Sequence, residues 1–166
     1  MADNAIDAGC RHLAFHLDVR ENGNLRIVVA DDGIGVPMAH PSQPEVKQTL
    51  RHVLRFGGRI PHVGRHHPIG RFGFGLSQAI TCLTLRTTVY SKTSGQPWRS
   101  AVYDFEHLKA NDALLMDEGT DLPLAGNEHN GAAFVPADSG TVIVMEDVDR
   151  ADWQNVKRLQ TRLEKD

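Results

Sequence analysis

The chain has 166 residues, of which 40% are hydrophobic and 23% charged, with a formal net charge of −3, the composition of one ordinary globular domain. No apolar run approaches the about 20 residues that a membrane-spanning helix needs. The polar, acidic start Met1-Ala2-Asp3-Asn4 has no signal-peptide character, so a cytoplasmic location is expected. The two cysteines, Cys10 and Cys82, lie far apart without metal-ligand spacing, which fits reduced core thiols.

Elements follow in chain order. Residues 1–8 have helical composition and stop at Gly9, a residue suited to a helix C-terminus. Residues 12–19 alternate, with Leu13, Phe15, Leu17 and Val19 on one side, which predicts a half-buried strand. Asn22-Gly23 is a hairpin signal, and residues 25–30 form the near-continuously apolar returning strand. Two glycines break the run at Asp31-Asp32-Gly33-Ile34-Gly35. Val46, Leu50, Val53 and Leu54 predict a helix from Pro44 to Gly57-Gly58, followed by a loop rich in glycine, proline and histidine. Leu76, Ile80 and Leu83 mark a further helix after the glycines that end at Gly75. Residues 87–92 and 98–105 read as an antiparallel pair joined through Ser94-Gly95, and residues 141–145 as a short buried strand. Residues 109–139 carry too weak a period to assign. Asp149 can cap a last helix with Trp153, Val156, Leu159 and Leu163 on its apolar face. Hairpin-joined strands with inserted helices predict a mixed, largely antiparallel sheet with helices on one face.

The charges are unevenly placed. No acidic residue lies between Glu45 and Asp104, a stretch that holds Arg51, Arg55, Arg59, Arg65, Arg71, Arg86 and Arg99 together with His52, His62, His66 and His67. A basic zone in a mildly acidic chain suggests attraction to an anion rather than general nucleic-acid affinity.

Three segments call for a chemical explanation. In Asn4-Ala5-Ile6-Asp7-Ala8, a carboxamide sits on a helix beside small residues, and an amide oxygen is a hard ligand suited to Mg²⁺. Taken alone, a solvated Asn near a helix end is the plainer reading. In the second, Asp31 at a strand end can accept a hydrogen bond from an exocyclic amine, while Gly33 and Gly35 let backbone approach a flat ring. An ordinary Asp-Gly turn is the plain alternative. The third, Gly70-Arg71-Phe72-Gly73-Phe74-Gly75, opens a helix, where backbone N–H groups and the positive dipole end favour phosphates. The segment has no Gly-Lys-Ser/Thr ending, which excludes a P-loop, and no Rossmann pattern surrounds it.

Taken together, in this order, the three segments resemble the GHKL superfamily, which includes gyrase B, the heat-shock chaperone ATPases, MutL, the MORC proteins and histidine kinases. The first is similar to its N-box, the second to its adenine-binding D-x-G-x-G motif, and the third to the glycine box that closes its ATP lid. Gly140-Thr141-Val142-Ile143 is similar to the Gly-Thr that precedes the family's adenine-site strand. The four matches span nearly the whole chain, and MORC-like bacterial ATP-binding proteins are the nearest comparison within the superfamily.

The resemblance implies a Bergerat-type α/β (α+β) two-layer sandwich, with residues 1–166 as a single ATP-binding domain incomplete at its N-terminus. It implies ATP and Mg²⁺ as ligands. Asn4 would bind the metal, and Asp31 the adenine amine, with Thr141 nearby through water. Gly33 and Gly35 would line the base, and Gly70, Arg71, Gly73, Phe74 and Gly75 would meet the phosphates. A lid would cover residues 56–72. The expected partners are ATP and a second copy of the chain, met through the lid or the absent N-terminal segment; neither a membrane nor nucleic acid is expected to bind this domain alone.

In one respect the sequence departs from the family pattern. Family ATPases carry a general-base glutamate four residues before the N-box asparagine, and that position falls just before Met1. Asp3 adjoins Asn4 but points to another helix face, so it is not expected to substitute. A truncated start is the expected cause, with the uncovered sheet face favouring poor solubility or dimerisation. No catalytic residue is therefore assigned. The alternatives are a nucleotide-binding regulatory module without turnover, or a metal- or nucleic-acid-binding protein using the histidine-rich stretch with His62, His66 and His67.

Overall fold

The computed structural model describes residues 1–21, 23–40, 43–47, 50, 75–110, 117–119 and 136–148. Helix α1 (Ala2–Asp7) leads into β1 (Leu13–Val19) and β2 (Leu25–Asp31). A two-stranded sheet of β3 (Ala39–His40) and β4 (Gln43–Lys47) follows. Helix α2 (Gly75–Leu83) runs directly into β5 (Thr84–Lys92), which turns back as β6 (Arg99–Asp104). Helix α3 (Phe105–Ala110), β7 (Asp117–Gly119) and β8 (Gly140–Val148) complete the described elements. The main sheet has six strands in the order β1-β2-β8-β5-β6-β7, and every pairing is antiparallel.

This is the α/β two-layer architecture with a mostly antiparallel sheet. Strand alternation gives the sheet two faces. Leu25, Ile27 and Val29 of β2, Val89 of β5, and Ile143 and Met145 of β8 form one core with Leu50, Leu76 and Ile80. The apolar stripe of α2 therefore packs on that face, as its spacing predicts. Val28, Ala30, Val142 and Val144 point the other way and cluster with Trp98. All seven residues of β2 are buried, because it pairs with a strand on each side and carries core on both faces. The unbroken apolar run read in the sequence is the signature of that position. At the sheet edge, Phe15 and Val19 of β1 are exposed, at 41% and 56%.

Several expectations need correction. Residues 43–47 form a strand rather than the first turn of a helix from Pro44. The helical reading rests on Leu50, Val53 and Leu54. Val46 fits either period, and proline is compatible with the start of a strand. Leu50 is helical and fully buried, while residues 51–74 lie outside the described residues. The second strand of the 98–105 pair ends at Asp104, and α3 begins at Phe105. The Asp104 carboxylate accepts the His107 N–H at 3.0 Å, an N-terminal cap that the strand reading overlooks. β8 is also longer than the expected 141–145. Cys82 is exposed on α2 rather than a core thiol, since it lies off the Leu76–Ile80–Leu83 stripe. The predicted final helix from Asp149 lies outside the described residues.

Candidate functional site

Strand register gathers the site. Across β2, β8 and β5, Asp31 pairs with Thr141 and Thr141 pairs with Ser91. Their strand neighbours Val29, Ile143 and Val89 all belong to the core that α2 covers, so the three side chains share the helix-side face. A carboxylate and two hydroxyls thus stand in one row at the end of three adjacent strands.

Asp31 is the unusual member, a carboxylate only 8% exposed. Gly33 N–H donates to its Oδ1 at 3.0 Å, and the backbone N–H of Thr141 also donates to it. Burial pushes its pKa above the ordinary 3.8, with the neighbouring Asp32 charge acting the same way; the two backbone donors oppose the rise. A carboxylate can accept about four hydrogen bonds. Two backbone donors leave capacity for another.

The turn after Asp31 is bonded to the end of α1. Ile34 N–H donates to the Ala8 carbonyl at 3.0 Å. A side chain at Gly33 would stand 2.6 Å from the Ala8 Cβ, so close approach requires glycine there. Gly35 adopts φ +70°, and a Cβ on it would lie 2.1 Å from the Lys92 carbonyl oxygen. The next residue is held on both sides: Val36 N–H donates to Ser91 Oγ at 2.8 Å, and the Val36 carbonyl accepts from the Arg99 guanidinium.

Asp32 has a different task from Asp31. Its Oδ1 accepts the N–H groups of Arg11 and His12 at 2.6 and 2.8 Å, and its Oδ2 lies 2.8 Å from His12 Nδ1. The His12 backbone N–H, the His12 ring and the Arg11 N–H together hold its pKa down at about 2. The contribution of this clamp is complete above the ordinary value of 3.8 and is lost as pH falls through about 2. In chemical denaturation, Asp32→Ala is expected to be less stable than the parent at neutral pH, with the gap closing between those two values. A gap that is constant with pH would count against the clamp.

Of the residues expected at a site, Asp31, Gly33, Gly35 and Thr141 come together. Asn4 lies on the exposed side of α1, one helical turn before the Ala8 that packs on Gly33. Gly75 is exposed as the first residue of α2, with open space where a side chain would stand. Gly70, Arg71, Gly73 and Phe74 lie outside the described residues, as do residues 56–72 and the three loop histidines. Among the described residues no group of three His, Cys, Asp or Glu side chains could hold a metal, and no helix is long and apolar enough to cross a membrane. Sequence reasoning missed Ser91 and the clamping role of Asp32. Asp32 lies inside the recognised motif at a variable position, and a buried serine inside a strand gives no signal in sequence.

The described residues form a two-layer α/β domain with a buried carboxylate on a glycine turn that is bonded to the end of the helix before it. The chain belongs to the family of histidine kinase-, DNA gyrase B- and HSP90-like ATPases, whose family model matches residues 1–128. It is also similar to the DNA gyrase B protein of Micrococcus luteus, with 29% identity over 107 residues. That match covers 63% of this chain and 15% of the gyrase protein. Membership in this family carries ATP binding as its general property.

Proposed function

We propose that the chain is a Mg²⁺-dependent ATP-binding domain, with Asp31 accepting the adenine amine and Thr141 beside it, acting through water. Gly33 and Gly35 line the base. Gly70, Arg71, Gly73, Phe74 and Gly75 meet the phosphates, and Asn4 supplies the metal's protein ligand. The observation that supports this most is the buried Asp31 carboxylate, held by two backbone N–H groups with accepting capacity left over. An adenine amine is a donor and suits it. Guanine placed the same way would present O6, an acceptor, and could offer its N1–H or 2-amine only in a shifted orientation.

The chemistry of the donors also fits the metal. Mg²⁺ keeps most of its waters and takes few protein ligands, so one exposed carboxamide is enough from the protein side. When bound, the ion supplies charge neutralisation at the phosphates. Asn4 would orient it from the same helix whose end packs on Gly33.

ATP titration in Mg²⁺ and in EDTA tests this reading. EDTA should weaken binding roughly tenfold or more, and Asn4→Ala should bind equally in both conditions. Equal affinity of the parent chain with and without Mg²⁺ would remove the metal from the account.

A further inference from the structure

Strand β1 closes one edge of the main sheet, and no described residue pairs with its outer side. Two bonds at its ends fix its hydrogen-bonding phase: Arg20 N–H donates to the Asn24 carbonyl, and the His12 carbonyl accepts the Asp32 N–H. Bonded pairs recur at every second residue of an antiparallel ladder, so the backbone groups of Ala14, His16 and Asp18 face β2. Those of Leu13, Phe15, Leu17 and Val19 face outward. An edge strand in a stable monomer is commonly blunted by lysine, proline, a bulge or short length. The opposite edge strand, β7, has three residues, two of them acidic. β1 has seven, without lysine, proline or glycine, and all seven pair with β2 in unbroken register. Phe15 and Val19 lie exposed on its helix-side face, flanking Leu17.

We infer that β1 pairs with β1 of a second copy of the chain, antiparallel about a twofold axis at Leu17, so that two sheets join into one. The strand is complementary to itself in that register. Leu17 meets Leu17, and Phe15 meets Val19 twice, so the exposed apolar side chains cover one another while the outward N–H and C=O groups are satisfied. On the other face His16 stands across from Asp18, again twice, at the non-bonded positions where side chains come closest. Asp18 already accepts two bonds from Arg26, at 2.9 and 2.7 Å. A carboxylate accepts about four, so it keeps capacity for a ring N–H of His16. An axis at His16 would preserve the backbone bonds but set His16 against His16 and Asp18 against Ala14, losing the polar pairing. The contact uses neither residues 56–72 nor anything before Met1, and it does not depend on the ATP reading.

Sedimentation of the full chain across a concentration series tests the association. The parent should form a dimer in the micromolar range, and Phe15→Lys combined with Val19→Lys should raise its dissociation constant about tenfold or more. Cysteine pairing tests the register, in a chain whose Cys10 and Cys82 are replaced by serine. Bonded cross-strand partners lie about 5.5 Å apart at Cα, within the span of a disulfide. Phe15→Cys mixed with Val19→Cys should therefore cross-link on mild oxidation. Neither variant should cross-link alone, because like positions stand four residues apart along the strands, more than about 13 Å. Should the lysine variant fail to fold, the cysteine mixture decides, since both positions are exposed. A parent that stays monomeric, a dimer that survives both lysines, or cross-linking within a single variant would overturn the inference.

Discussion

Replacing Asp31 with asparagine is expected to weaken ATP binding roughly 10- to 150-fold, the range for losing a charge-assisted hydrogen bond in a water-poor site. The chain should remain folded. Its stability at neutral pH should stay within about 1 kcal/mol of the parent, because relief of a buried charge offsets a weakened backbone contact. The pH dependence has a definite sign. Burial raises the folded-state pKa of Asp31 above 3.8, so its unfavourable contribution is absent below that value, grows as pH rises, and is complete above the raised value. Asparagine carries no such contribution. The stability of Asp31→Asn relative to the parent should therefore improve from about pH 3 towards neutrality, opposite to the trend at Asp32. Unchanged ATP affinity in Asp31→Asn would disprove the adenine assignment.

The largest structural effect is expected at Gly35. Alanine there must hold φ near +70° and place its Cβ 2.1 Å from the Lys92 carbonyl oxygen. The left-handed conformation costs about 1–2 kcal/mol for a non-glycine residue, and the clash is with backbone, which cannot swing aside. The turn has to leave β5, which breaks the Val36–Ser91 and Val36–Arg99 bonds. A loss of roughly 3 kcal/mol or more, or about 10 °C in Tm, is expected together with loss of ATP binding. A Gly35→Ala chain with parental Tm and affinity would show that the turn is not held against β5 in solution.

These two positions also show what is legible in the sequence. Asp31 and the glycines are readable because a carboxylate at the end of an apolar strand followed by Gly-x-Gly narrows the local geometry. Thr141 is readable only through its family likeness, since its pairing with Asp31 spans more than a hundred residues of chain. Ser91 is not readable. Its role depends on the register of β5 against β8, and a serine in a strand looks the same whether it faces solvent or a polar row. The expected helix at Pro44 fails for a related reason: Val46 fits two periods, and pairing with β3 decides between them. The cap at Asp104 shows the opposite case, a local signal (Asp followed by a helical run) that a strand reading conceals.

Asp31 and Thr141, paired across β2 and β8, are proposed to read adenine. Calorimetric titration of the 166-residue chain with ATP and with GTP, in Mg²⁺, tests it most directly. Saturable one-to-one binding of ATP is expected, with GTP weaker by at least about tenfold. Absence of ATP binding, or equal affinity for the two nucleotides, would contradict it.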